Sequence, residues 1–374
     1  MTATTTTSPA LDDDADEPDE PAPDVFSLPP GADASLDWGL TSHLDADGSP
    51  KIVERELRVP PELAGLRLDH FIKTQITRLS RTKIQDVIDT QLTRDAPGRL
   101  KPATLVATGD RYVIRRPARR EPACPRTFTV VHEDARVRVI DKPAFLPVHA
   151  SAKFYFNTLT RVLGERYPAE PELQICHRLD RETSGCLVVA RDRVAAGYVK
   201  DRIADKRVTT KIYLAIVHGA APWEQPDGFP LDIPLRISTP GDATRLPGVR
   251  MLADPRGLPS LTRVRVLART AAYSLVHCTL VTGRQHQIRA HLAAAGFPIV
   301  GDKLYTHGDD AFIAYCDGGL SADLAARFIL PRHALHAAAI SVPHPDGGIV
   351  SARAPLPADM AALIGHTAST AAAW

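Results

Sequence analysis

Residues 177–185 read HRLDRETSG, and the group in them best suited to chemistry is the carboxylate of Asp180. It follows the basic pair His177-Arg178 and precedes a Thr-Ser-Gly turn. Directly after comes Cys186-Leu187-Val188-Val189-Ala190, an apolar run with the length and composition of a strand. Asp180 is therefore predicted on a loop feeding a buried strand, where a carboxylate can be held rigidly beside cations. A carboxylate so held can act as a nucleophile or as a proton acceptor. The structural alternative is an Asp that only caps a turn.

Four further strings follow a matching order. They are VHEDARVRVIDKPAFLPVHAS (131–151), KIYLAIVHG (211–219), TGRQHQIRAHLAAAGFPIVGDKLY (282–305) and RHALHA (332–337). With HRLD-x-x-TSG they resemble the signatures of the RluA-type pseudouridine synthases, which isomerise uridine in RNA. The resemblance spans residues 127–345 and implies a mixed, mostly antiparallel sheet with flanking helices and a central RNA cleft, an α+β fold. The reaction breaks the N1–C1′ bond, turns the uracil and makes a C5–C1′ bond, with no redox change and no group donor. No cofactor is expected.

Carried over residue by residue, the resemblance makes Asp180 the catalytic carboxylate and Arg289, in the QIR triplet, its ion-pair partner. It places Tyr213 in the active site, and Arg178 in the space that the flipped base leaves. His177, Lys211, Arg284, His286 and Gln287 are expected to contact substrate. Lys142 and Pro143 read as a structural corner near the site, and His149 as lining the cleft. Cys176 adjoins His177 and invites a thiol-nucleophile reading, but the resemblance gives the chemistry to Asp180. His286 and His291 are five apart, without an H-E-x-x-H arrangement or an acidic third ligand nearby, so no metal site is expected.

These groups need elements to hold them. Ionisation of Asp180 in an RNA cleft requires a nearby cation, since burial and phosphates both raise a carboxyl pKa. Thr282 and Gln285 stand at capping-box spacing, which predicts a helix from there to Gly296, with Ile288, Leu292 and Ala295 facing the core and Arg289 on the flank. In KIYLAIV, Tyr213 shares a strand face with Lys211, while Ile212, Leu214 and Ile216 take the other. An aromatic hydroxyl on the polar face can stack on a flipped base; by composition alone Tyr213 is a half-buried sheet residue.

Leu68, Phe71, Ile72 and Ile76 recur at helical spacing, as do Ile84, Val87 and Ile88, with Ser80 placed to cap the second helix. Arg67, Lys73, Arg78, Arg81 and Lys83 decorate these helices. The segment resembles the alpha-L RNA-binding module often fused to these synthases, departing from it at TQLTRDAPGR (90–99). Arg67, Arg81 and Lys83 are its candidate RNA contacts; the alternative is a helical cap that touches no RNA.

The expected division is an acidic disordered arm (1–50), the alpha-L-like α/β module (51–116), a basic Pro-rich linker (117–126), the catalytic domain (127–360) and a tail (361–374). The arm holds twelve of the 44 acids and no Lys or Arg, so residues 51–374 carry 32 acids against 45 bases. A body of charge +13 suits a polyanion. The arm lacks the basic and apolar regions of a signal peptide, and no apolar run approaches the roughly 18 residues that cross a membrane. Five scattered cysteines without C-x-x-C spacing argue for a reducing cytoplasm.

The expected protein is a monomeric, cytoplasmic pseudouridine synthase acting on RNA, ribosomal first, with tRNA open. A non-catalytic ribosome-assembly protein is the competing class; intact Asp180, Tyr213 and Arg289 argue against it. A metal-dependent nuclease would need clustered carboxylate or histidine ligands that the sequence does not display.

Overall fold

The computed structural model describes residues 28–29, 32–77, 79–95, 98–151, 153–205 and 208–365. Two compact units divide the chain. The smaller takes its described residues from Gly39–Ala123 and His149–Arg161; the larger takes 28–38, Cys124–Val148 and 162–365. Most of the acidic arm, Arg78 and residues 366–374 of the tail lie outside the described residues.

In the smaller unit, β1 (Ile52–Arg58), β2 (Leu92–Arg94) and β3 (Arg111–Pro117) form an antiparallel sheet in the order β1-β3-β2. Helices Leu68–Gln75 and Arg81–Thr90 bury Leu68, Phe71, Ile72, Ile84, Val87 and Ile88 in one core with Tyr112 and Ile114. These are the apolar positions that the helical spacing selects. Ser80 caps the second helix, its hydroxyl accepting from Lys83 N at 3.2 Å. The short strand β2 falls inside the stretch where the sequence departs from the module it resembles. Glu121, placed by composition in the linker, is buried and accepts from Phe156 N (2.9 Å) and Asn157 N (2.8 Å).

The larger unit is a mixed α+β domain. Its strands are β4 (Thr129–Glu133), β5 (Val137–Lys142), β6 (Gln174–Ile175), β7 (Ser184–Ala190), β8 (Thr210–His218), β9 (Phe229–Asp232), β10 (Leu235–Ile237), β11 (Met251–Ala253), β12 (Leu261–Arg269), β13 (Tyr273–Leu280), β14 (Leu335–Pro343) and β15 (Ile349–Arg353). Ten of them make one sheet, β4-β5-β7-β14-β8-β13-β12-β9, with β6 on β7 and β15 on β14; β10 and β11 pair separately. All these pairings are antiparallel except β7 with β14.

Every residue of β7 is buried, as its apolar run requires of a strand covered on both faces. At its start β7 meets β14 so closely that a Cβ on Gly185 (φ +111°) would sit 2.2 Å from the carbonyl oxygen of Ala337. Glycine is required there. Asp37 and Trp38, placed by composition in the arm, pair with the linker: Arg126 N donates to Asp37 O and Cys124 N to Trp38 O, and the Trp38 ring is buried.

One boundary differs from expectation in a way that matters. The helix after β13 runs Gln287–Ala294 and does not begin at Thr282. Thr282 Oγ1 instead donates to the Gln287 side-chain oxygen at 2.7 Å, and His286 turns the chain through φ +50° just before the helix. The sequence TGRQH is thus a shaped loop, tied back by Gln287 rather than by a capping box.

Candidate active site

Asp180 sits on the loop entering β7, where Arg289 from the helix after β13 meets it. Arg289 Nη1 lies 2.9 Å from Asp180 Oδ2. The rest of that guanidinium forks onto Asp302, with Nε 2.6 Å from Oδ2 and Nη2 3.0 Å from Oδ1. Asp302 is fully buried and also accepts from Leu304 N and Tyr305 N, both at 3.0 Å. A fork held this way leaves one nitrogen aimed outward in a fixed direction.

The electrostatics follow. Burial pushes the Asp180 carboxyl pKa up, but His286, Arg289 and His333 outweigh it and hold the group at about 2. Asp180 is therefore ionised at neutral pH while still reachable, its side chain 27% exposed. Burial, followed by the negative charge of Asp180, pushes the Tyr213 pKa well up, so that hydroxyl is neutral.

Around Asp180 opens a solvent-connected cleft of about 220 Å³, lined by Arg178, Tyr213, Lys211, Arg284 and His286. This is room for a base that has left its stack. Arg178 and Arg284 are exposed at it, and Tyr213 is buried on β8. The strand alternation that put Lys211 and Tyr213 on one face thus brings both to the cleft.

Other candidates are placed differently. The His177 ring accepts from Val188 N through Nε2 at 3.1 Å, a contact that ties the loop to β7. Gln287 lies at the cleft, but its amide is engaged: Nε2 donates to Thr262 Oγ1 (2.9 Å) and Leu261 O (3.1 Å), and its oxygen accepts from Thr282 and Arg284 N. His149 is exposed, its Nδ1 3.1 Å from Thr160 Oγ1. In the smaller unit Arg67 pairs with Asp69 at 2.7 Å and Lys83 with Asp86 at 3.2 Å, while Arg81 is exposed. Burial pushes the Cys176 thiol up to about 11, which leaves it a poor nucleophile at neutral pH. The His291 nitrogens lie 3.0 Å from Thr262 Oγ1 and 2.9 Å from Ile233 O, turned away from any shared ligand with His286. Among the described residues no group of three or more His, Cys, Asp or Glu converges as metal ligands would.

The sequence reading named Lys142 only as part of a structural corner near the site, and missed Glu182, Lys303 and His333, which also support this floor. Lys142 is fully buried, and its Nζ donates to Pro143 O (2.7 Å), Leu146 O (3.0 Å) and Arg181 O (3.3 Å), pinning the residue next to Asp180. Burial lowers its pKa to about 7. Glu182 accepts from Lys303 Nζ at 2.9 Å and from His333 N at 3.1 Å, and His333 Nε2 lies 2.7 Å from Thr183 Oγ1. Their signal was their presence inside the quoted strings, as Glu182 in HRLDRETSG and Asp302 and Lys303 in GDKLY.

The cleft sets a cationic mouth over an ionised carboxylate at its floor, an arrangement suited to a polyanionic substrate. Comparisons with known proteins give the class. The family model described as RNA pseudouridylate synthase matches residues 136–294. Over 321 residues the chain is 34% identical to the ribosomal large subunit pseudouridine synthase D of Nitrosomonas europaea, covering 83% of this chain and 86% of that protein. It is 31% identical over 302 residues to the ribosomal large subunit pseudouridine synthase C of Vibrio cholerae, covering 77% of this chain and 88% of that protein. The solved structure of human RNA pseudouridylate synthase domain containing 1 aligns with 63% of this chain and 86% of that chain, at 27% identity and a TM-score of 0.48. The chain belongs to the RluA-type RNA pseudouridine synthases; it is an isomerase that makes pseudouridine in RNA.

Proposed function

We propose that this enzyme isomerises specific uridines of large-subunit ribosomal RNA, with Asp180 as its catalytic carboxylate. The observation that carries the assignment is the Arg289 fork, which holds an ionised carboxylate at the floor of an open, cation-lined cleft. Attack on the nucleoside and removal of a sugar proton both need an anionic oxygen at that point, and Asp180 supplies it. Tyr213 stacks on the flipped uracil as a neutral hydroxyl. Arg178 enters the vacated stack, and Lys211 and Arg284 take flanking phosphates.

His177 and Gln287 we assign to shaping the loops rather than to touching RNA, because Val188 N occupies His177 Nε2 and the Gln287 amide is fully engaged by the protein. The ribosomal substrate rests on the names of the curated relatives. The smaller unit acts as an alpha-L-like RNA-binding module; its pair of helices on a three-stranded sheet supports this, with Arg81 an exposed cation on its second helix. Free cysteines, four of the five buried, fit a reducing, cytoplasmic setting. Among the described residues no helix is long and apolar enough to cross a membrane.

The test uses cells lacking the protein, complemented with wild type or Asp180→Asn. Pseudouridines are mapped by carbodiimide labelling and primer extension across ribosomal and transfer RNAs. The expected result is a large-subunit position restored by wild type and absent with Asp180→Asn. A restored position in tRNA would move the substrate, and equal restoration by both proteins would remove Asp180 from the chemistry.

A further inference from the structure

We infer that the Tyr305 hydroxyl fixes which ring nitrogen of His286 carries the proton, so that His286 Nε2 presents an N–H donor to Asp180 and to a nucleotide bound against it. The functional meaning of this arrangement rests on Asp180 being the catalytic carboxylate; the protonation pattern does not.

The starting observation is a short chain of hydrogen bonds. Met251 N donates to the Tyr305 hydroxyl oxygen at 2.9 Å. That oxygen already accepts one hydrogen bond, and its own proton needs a destination. Among the described residues the acceptor within reach is His286 Nδ1, 3.3 Å away. A neutral imidazole has one donor and one acceptor nitrogen, so an Nδ1 that accepts leaves the proton on Nε2. Nε2 lies 3.8 Å from Asp180 Oδ2. This is beyond a hydrogen bond in the unliganded protein, and near enough for a bound oxygen, or a small shift of Asp180, to complete one. The opposite tautomer is doubly unfavourable. It would leave the Tyr305 proton without that acceptor and turn the Nε2 lone pair toward an anionic carboxylate.

The rings are placed to keep this geometry. His286 and Tyr305 meet edge to face, centroids 5.9 Å apart at 88°. The Tyr305 ring also lies 5.1 Å from the Arg289 guanidinium carbon. His286 itself holds φ +50°, a conformation rare for non-glycine residues and concentrated at functional sites. Behind them, Tyr305 packs on Leu235, Met251 and Ala290. Leu235 and Met251 belong to the β10–β11 hairpin, so through one backbone N–H that hairpin reaches the active site. Burial and Arg289, helped by Arg178, lower the His286 pKa to about 4, with Asp180 and Asp302 acting the other way. At neutral pH the ring is uncharged, and its tautomer decides what it offers.

His286 is then a donor to a uracil carbonyl or a sugar hydroxyl, and Tyr305 a positioning residue one step behind it. The test begins with histidine-labelled ¹⁵N protein at neutral pH, where long-range ¹H–¹⁵N spectra distinguish the two tautomers. The wild type should show His286 as Nε2–H, and Tyr305→Phe, which keeps the ring and loses the hydroxyl, should shift it toward Nδ1–H. An Nδ1–H wild type, or a tautomer indifferent to Tyr305→Phe, overturns the inference whatever the activity. Single-turnover kinetics form the second arm. Tyr305→Phe should slow the chemical step about ten-fold with RNA affinity unchanged. His286→Gln, which keeps an N–H, should retain more activity than His286→Phe; equal losses overturn the donor role. A wild type inactive on every RNA would defeat the functional reading and leave the spectra standing, so the two failures are separable.

Discussion

Arg289 reaches Asp180 with a single nitrogen, Nη1 at 2.9 Å from Oδ2, because Asp302 holds the other two. Arg289→Lys keeps the charge and discards the fork. An ammonium cannot grip Asp302 side-on while reaching Asp180 in a fixed direction. The expected outcome is a loss of at least about a hundred-fold in the single-turnover rate, from misplacement of the proposed catalytic carboxylate. Stability should fall by up to about 3–5 kcal/mol, since Asp302 is fully buried and loses its bidentate partner. Urea unfolding and single-turnover kinetics on the same variant check both. A variant that turns over like wild type would show that the direction of Nη1 is immaterial.

The Glu182–Lys303 pair, 2.9 Å apart with both side chains buried, should behave as a coupled unit. Either Glu182→Gln or Lys303→Met alone leaves a buried charge without its partner, and each is expected to destabilise by about 3–5 kcal/mol. The double variant should lose clearly less than the two singles together, with a coupling of about 1–3 kcal/mol. Urea midpoints of the four proteins complete the cycle, and strict additivity would show that the pair does not act as one.

Some of this was legible in one dimension. The continuous apolar run after Asp180 gave strand β7, and the spacing of Leu68, Phe71 and Ile72, with Ser80 before the next helix, gave the smaller unit its core. Alternation in KIYLAIV put Lys211 and Tyr213 together. The supporting ion pairs were not legible, because Arg289–Asp180 spans 109 residues and Lys303–Glu182 spans 121. A buried charge looks in sequence like a solvated one until its partner is known. The expected helix start at Thr282 failed for a local reason. Gln287 competes for the Thr282 hydroxyl, and His286 adopts a left-handed turn that no propensity rule assigns to it.

Buried neutral histidines set the response to mild acid. Burial holds His333 at about 3 and His336 at about 4, and His286 is also held at about 4, against 6.5 when unfolded. As pH drops below 6.5 the unfolded chain takes up protons that the folded protein refuses. The histidine contribution is therefore full above 6.5 and falls toward each folded value, at up to ~1.4 kcal/mol per pH unit per histidine. Asp180 and Glu182, each held at about 2, add a loss of the same sign below about 4. Lys142, held by burial at about 7 against 10.5 when unfolded, adds a shallower loss of the same sign as pH falls from 8 toward 7, and urea midpoints should decline more steeply below about 6.5, where the histidines join it. His336→Gln, though less stable overall, should show a slope shallower by about one proton; an unchanged slope would remove His336 from the linkage.

The tightest constraint on the catalytic loop is the crossing of β7 and β14. Gly185 lies five residues after Asp180 with φ +111°, and its missing Cβ is what lets the Ala337 backbone approach. In Gly185→Ala the new carbon would stand 2.2 Å from the Ala337 carbonyl oxygen and 2.7 Å from its nitrogen. The clash is with backbone on both sides, and no side chain can turn aside to relieve it. The positive φ adds strain that no rotamer change removes. The expected result is destabilisation of at least about 4 kcal/mol, among the largest single effects in the protein. At Gly219 (φ +79°) nothing lies within 4 Å of an added Cβ, so Gly219→Ala should lose only the backbone preference, about 1–2 kcal/mol. Thermal unfolding of the two variants separates contact from conformation. If they lose the same stability, the approach of β14 to β7 is not what makes residue 185 a glycine.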